Sequence, residues 1–209
     1  MESKCKHTVM ASLLLFLCNA ASAGLLIDPA NYTATASSEY ATRDVWYAVN
    51  GAGLSDPSGD LPATHTGYPN PVGLAWHTVN DDVSNAWLIV DLGAVHTLDS
   101  MHVWNYNHAG SYVGPTSTEL TRGIREFNLW IRTDSSPGNN TPGSQGPFDP
   151  TGWNQVIYAH ELDPAPGADG YAGQTVSFLV SFDARFVAIE VLSNYNDTDV
   201  DNDADIDTD

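Results

Sequence analysis

Trp87-Leu88-Ile89-Val90-Asp91-Leu92-Gly93 is the stretch that decides the fold class. Six residues, mostly aromatic, β-branched or aliphatic, run into a glycine; the segment is too short for a helix and predicts a strand. Outward from it the pattern recurs, with Thr33 to Ser38 before it and Met101 to Tyr106, Ile124 to Arg132, Trp153 to His160, Gln174 to Ser181 and Ala184 to Leu192 after it. Inside Ile124 to Arg132 the period is two, so Phe127, Leu129 and Ile131 face one way and Asn128, Trp130 and Arg132 the other. No stretch sustains a 3.6-residue period. Seven strands in about 170 residues, separated by Gly, Pro, Asn and Asp, predict a single all-β antiparallel sandwich or barrel.

The chain has 209 residues, and seven Lys and Arg against twenty-six Asp and Glu give a formal net charge of -19. Such a polyanion is a poor partner for nucleic acid or an anionic membrane, because both are held mainly through Lys and Arg. Both lysines, Lys4 and Lys6, precede an apolar run from Val9 to Leu17 and an Ala21-Ser22-Ala23 cleavage pattern. Residues 1–23 therefore read as a secretory leader, with Gly24 as the mature start and a secreted or cell-surface location. The run is too short to span a bilayer, which takes about 20 apolar residues. Leader removal takes away both cysteines, Cys5 and Cys18, and leaves five arginines against twenty-five acids, a formal -20. An exported domain without disulfides must stand on its core or on bound metal.

Three long connections, Asn50 to Gly73, His108 to Thr121 and Thr133 to Gly152, interrupt the strands. Long loops in a compact domain are often functional, but Ser135 to Pro150 is mostly Ser, Pro, Gly, Asn and Thr and reads as flexible surface decoration. Residues 197–209 differ from the domain at 24–196, since Asp197, Asp199, Asp201, Asp203, Asp205, Asp207 and Asp209 alternate with small or apolar residues. Counted from Asp199, carboxylates fall at positions one, three, five and nine of an EF-hand loop, with Ile206 at eight. Ala204 stands where that loop wants glycine, and position twelve falls past Asp209.

Three ordered segments carry a likeness: Tyr47-Ala48-Val49-Asn50-Gly51-Ala52-Gly53-Leu54-Ser55; Trp87 to Gly93; and Val103-Trp104-Asn105-Tyr106-Asn107 followed by Arg122-Gly123-Ile124-Arg125-Glu126-Phe127. Together they resemble the discoidin, or coagulation-factor type C, domains, a galactose-binding-like group that includes many carbohydrate-binding modules. The resemblance spans about Tyr32 to Asn194 and implies a jelly-roll β-sandwich with a structural Ca²⁺ in the early loop and ligand loops at one end. It implies calcium ligands at Ala48 (through its carbonyl), Asn50 and Ser55, with an amide where many relatives carry an aspartate. Relatives also supply a final-strand glutamate after the position of Asn194, which is missing here; either Asp197 or Asp199 takes its place or the domain is truncated.

A sugar needs an aromatic surface for the apolar side of the pyranose and directional donors and acceptors for its hydroxyls. The loops offer His65, Tyr68, Trp76, His77, Trp104, Asn105, Tyr106, Asn107, His108 and Arg122. Trp76 and Trp104 are equally readable as core, and Arg122 as half of an internal ion pair. His96, His102 and His108 raise a zinc reading that lacks any cysteine or H-E-x-x-H helix in support. No G-x-S-x-G elbow occurs, and twenty-five carboxylates make chance pairs inevitable, so abundance is no argument for catalysis. The expected function is a non-catalytic module that binds a neutral glycan. The alternatives are an adhesion or structural domain joined to neighbouring domains through calcium, and a piece of a glycan-processing enzyme.

Overall fold

The computed structural model describes residues 31–56, 63–65, 75–79, 83–107 and 119–195, together with the backbone of 14–19 and 25–26. Tyr68, His108 and the acidic residues of 197–209 lie outside the described residues.

The strands are β1 (Leu14–Asn19), β2 (Leu25–Leu26), β3 (Thr33–Ala36), β4 (Trp87–Trp104), β5 (Ile124–Arg132), β6 (Asn154–Glu161) and β7 (Gln174–Asn194). All pair antiparallel in the order β2-β1-β4-β7-β5-β6, with β3 on β4 beside that path. Short 3-10 turns lie at Val45–Ala48 and Glu119–Arg122. The fold is the predicted all-β antiparallel sandwich.

Two pairs of predicted strands turn out to be single long ones. Trp87 to Leu92 and Met101 to Tyr106 are the two ends of β4, and Gln174 to Ser181 and Ala184 to Leu192 are the two ends of β7. The interruptions are bulges rather than turns: Leu92 to Val95 extrude from β4 between Asp91 and His96, and Phe178 to Ser181 extrude from β7 between Ser177 and Phe182. Extra residues on one strand bend it and raise its twist. Each long strand can thereby serve two layers, β3 and β7 flanking the first half of β4, and β1 and β7 flanking the second. At the first bulge Arg185 grips Asp91 with two charge-assisted bonds, Nε to Oδ1 and Nη2 to Oδ2, both 3.0 Å. Partial burial pushes the Asp91 carboxyl upward, but the Arg185 guanidinium and the Gly93 N–H outweigh it and hold the group below the ordinary carboxylate value.

The alternation read in Ile124 to Arg132 holds, because Phe127, Leu129 and Ile131 are buried together with Leu88, Val90, Val187, Ile189 and Val191 in the main core. The opposite face of the same strands is also covered. Trp87, Ile89, Phe186, Ala188 and half-buried Trp130 pack against Phe148 and Trp153. The loop from Thr133 to Gly152 is therefore ordered cover rather than flexible decoration. Gly143 and Gln145 donate to the Ala36 and Ser37 carbonyls at 3.0 Å, and Trp87 Nε1 donates to the Gly146 carbonyl at 3.1 Å. Asn140 and the Asp149 backbone close the loop on itself, with Asp149 N–H donating to Asn140 Oδ1 at 2.7 Å. Burying Phe148 contributes about 2 kcal/mol toward keeping that loop down.

The apolar run expected in the leader supplies β1. Its backbone runs along the outer edge of β4, from Leu14 opposite Trp104 to Asn19 opposite Leu98.

Candidate functional site

Most of the loop residues expected to meet a ligand are interior ones. Trp76 and Trp104 are fully buried, and their indole N–H groups donate to the carbonyls of Ser38 (3.0 Å) and Ala63 (3.3 Å). Asn105 is also fully buried; its Oδ1 accepts from Tyr106 N–H (2.9 Å) and Ile124 N–H (3.0 Å), while its Nδ2 donates to the Ile124 carbonyl at 2.7 Å. Asn107 clamps the neighbouring loop, donating to the Ala168 carbonyl and accepting from Gly167 N–H, both at 2.8 Å. Tyr106 and His65 are buried as well, His65 exchanging both backbone bonds with Tyr171. The polar atoms of Trp76, Trp104, Asn105 and Asn107 tie loops to strands, because an amide or indole inside a sandwich must be satisfied there. Arg122 is half-buried at the end of the second 3-10 turn. His102 bonds Thr175 Oγ1 and the Ala172 carbonyl, each at 2.8 Å, and burial keeps its imidazole below its ordinary pKa.

His77 leads to the surface the sequence reading missed. Tyr40 N–H donates to the His77 carbonyl at 2.8 Å, His77 N–H returns to the Arg43 carbonyl at 3.4 Å, and Arg43 N–H closes a turn onto Tyr40. Arg43 Nη1 then meets His77 Nε2 at 3.0 Å. A guanidinium only donates, so Nε2 is the acceptor and the ring is neutral with its proton on Nδ1. The ring edge of His77 packs against Tyr106, centroids 5.5 Å apart. Two carboxylates complete the turn, Glu39 accepting Val45 N–H (2.9 Å) and Asp44 capping the 3-10 turn through Trp46 N–H (2.7 Å).

On this locked backbone Tyr40 and Trp46 stand out, 39% and 41% exposed. Of the same turn, Glu39 and Val45, but not Tyr40, Arg43 or Trp46, line a groove of about 460 Å³ together with Pro142, Gly143 and Gln145 of the covering loop. The arrangement offers aromatic surface, a half-exposed arginine held in one orientation, and neighbouring acceptors. That is the chemistry a hydroxylated, uncharged ring requires.

The early loop answers the calcium expectation differently. Asn50 Oδ1 accepts Ala52 N–H at 2.9 Å, and Ser55 Oγ accepts Thr64 N–H at 3.0 Å. With the Ala48 carbonyl these are three neutral oxygens, two already engaged, whereas Ca²⁺ takes six to eight oxygens and draws affinity from carboxylates. No group of three or more His, Cys, Asp or Glu converges among the described residues. The described residues do not by themselves make a calcium cage.

No protein-family model matches the chain, and no curated protein matches it. In shape it is similar to carbohydrate-binding modules. One is the family 32 module of Clostridium perfringens NanJ in complex with galactose, at TM-score 0.44 and 14% identity, covering 80% of this chain and 87% of that one. Another is chitosan-binding module 2 of a Paenibacillus chitosanase/glucanase in complex with chitotriose, at TM-score 0.40, 16% identity and coverage of 78% and 86%. A fucolectin from striped bass serum reaches TM-score 0.42 and 18% identity, covering 80% of this chain and 43% of that one. The sugars named are ligands of those proteins.

Proposed function

We propose that the protein is a non-catalytic carbohydrate-binding module that takes a neutral glycan at the Tyr40–Trp46 turn. The observation that carries the reading is the pair of exposed aromatics flanking an arginine fixed by His77, on a turn whose shape is held by main-chain bonds. A neutral ligand suits the site because the chain is a polyanion with a formal charge of -19. A single sugar of about a dozen heavy atoms at roughly 0.3 kcal/mol each gives about 4 kcal/mol, a millimolar affinity. Retention on a repeating polymer is therefore the sensitive assay. Affinity electrophoresis through gels of neutral polysaccharide should retard the protein, and Tyr40→Ala and Trp46→Ala should each abolish the retardation without changing the melting temperature. A folded wild-type protein that no neutral glycan retards would sink the reading.

Export and calcium belong to the same proposal. The basic start, apolar run and Ala21-Ser22-Ala23 pattern support a secreted module beginning at Gly24, from which β1 would be removed with the leader; N-terminal sequencing of protein recovered from the medium tests this directly. For calcium, the carboxylates a hard cation requires are concentrated at Asp197, Asp199, Asp201, Asp203 and Asp207 rather than in the Asn50 loop.

A further inference from the structure

We propose that the protein forms a two-fold homodimer through the edge of β6 and the bulge of β7. β6 is the last strand of the sheet path and pairs only with β5 among the described residues, so its outer edge presents backbone donors and acceptors with no strand to receive them. The Ile157 carbonyl is met by the chain's own Gln155 amide, at 3.4 Å. Beside this edge the residues extruded from β7 carry Leu179 fully exposed and Val180 at 74%, and Tyr158 on β6 is 79% exposed. Phe178 and Phe182 stack behind them with centroids 4.5 Å apart, and a groove of about 540 Å³ lies between bulge and strand. Apolar side chains exposed together at an open edge are the usual mark of a surface that is covered in use.

Charge selects the occupant. From Asn154 to His160 and from Val176 to Phe182 there is no Asp, Glu, Lys or Arg, on a chain whose formal charge is -19. A basic partner would be drawn to the acidic surface elsewhere, whereas a second, equally acidic copy meets least repulsion where both surfaces are neutral. An antiparallel strand edge is also self-complementary under a two-fold axis, so one patch can serve as both halves of the interface. That edge is bulged, because the register with β5 shifts between Gln155 and Ile157 and again between Ile157 and His160, where Ala159 has φ 44, so the contact rests on Tyr158, Leu179 and Val180 more than on a continuous ladder.

Sedimentation equilibrium of the full chain at moderate salt tests the dimer. The expected result is reversible dimerisation that Tyr158→Asp and Leu179→Asp each weaken at least about tenfold by placing a carboxylate on both sides of the axis. Both side chains are exposed, so melting temperatures should stay at the wild-type value, and Tyr40→Ala should leave the dimer intact. A wild-type protein that is monomeric up to about 100 µM overturns the proposal, as does a dimer indifferent to both substitutions. A monomer whose retardation by polysaccharide depends on Tyr158 overturns it in favour of a second glycan surface.

Discussion

Replacing Asn105 with alanine removes one side chain and strands three backbone groups. The Ile124 N–H, the Ile124 carbonyl and the Tyr106 N–H all lie within 3.0 Å of the Asn105 amide, in a region with no solvent access. A buried donor or acceptor left without a partner costs about 1–3 kcal/mol, so three of them, partly relaxed, cost about 3–5 kcal/mol. That is a large part of the 5–15 kcal/mol typical of a folded domain. For a chain of this size about 3 °C is lost per kcal/mol, so the melting temperature should fall by roughly 10 °C in scanning calorimetry. Asn139→Ala is the control, because its exposed amide makes one 3.3 Å bond to Asp149 and its loss should change stability by less than about 0.5 kcal/mol. The same clamp explains Gly123, where a Cβ would sit 2.8 Å from Asn105 Oδ1. If Asn105→Ala melted within about 2 °C of wild type while losing glycan binding, the amide would be a ligand group and the reasoning would be wrong.

Gly173→Ala should be poorly tolerated, because φ is 71° and a Cβ would stand 2.6 Å from both His102 Nε2 and the Val103 carbonyl; a loss of about 3 kcal/mol is expected in urea unfolding. The Asp91–Arg185 pair gives a pH dependence: with the folded pKa of Asp91 below its ordinary value, the pair stabilises above the ordinary carboxylate range and that contribution disappears as pH falls through the lowered pKa. Asp91→Asn should therefore unfold at lower urea than wild type at pH 7, with the gap closing in strongly acidic buffer; an equal gap at both pH values would contradict the assignment. Calorimetric titration with Ca²⁺ should show binding that vanishes when residues 197–209 are deleted and survives Asn50→Ala, the reverse outcome returning calcium to the early loop.

The strands were legible because sheet chemistry is local. Ile124 to Arg132 could be bounded to the residue from its alternation and its flanking Gly123 and Thr133. Bulges were not legible, since Asp91-Leu92-Gly93 carries the residues of a turn and only the pairing of β7 decides that the strand continues. The covering loop was misread from composition, although a clue was present. Trp87-Leu88-Ile89-Val90 is apolar on both faces, which requires a second layer over Trp87 and Ile89, and Phe148 and Trp153 provide it. The candidate site was missed for the converse reason. Trp76, Trp104 and Asn105 were chosen by residue type, and residue type does not say which face of a strand is buried. Arg43, one of the chain's five arginines and set between Tyr40 and Trp46, was the better signal.

The Tyr40–Trp46 turn takes its shape from main-chain bonds to His77 and from the acceptors on Glu39 and Asp44, not from its outward side chains. Tyr40, Thr42 and Trp46 can accordingly be randomised together, with Glu39, Arg43, Asp44 and His77 kept, to give a library in which recognition varies over an unchanged frame. Selection from such a library would make the domain a reagent for sorting glycans, and its lack of cysteine after residue 18 would let each variant, when begun at Gly24, be labelled at a single introduced thiol.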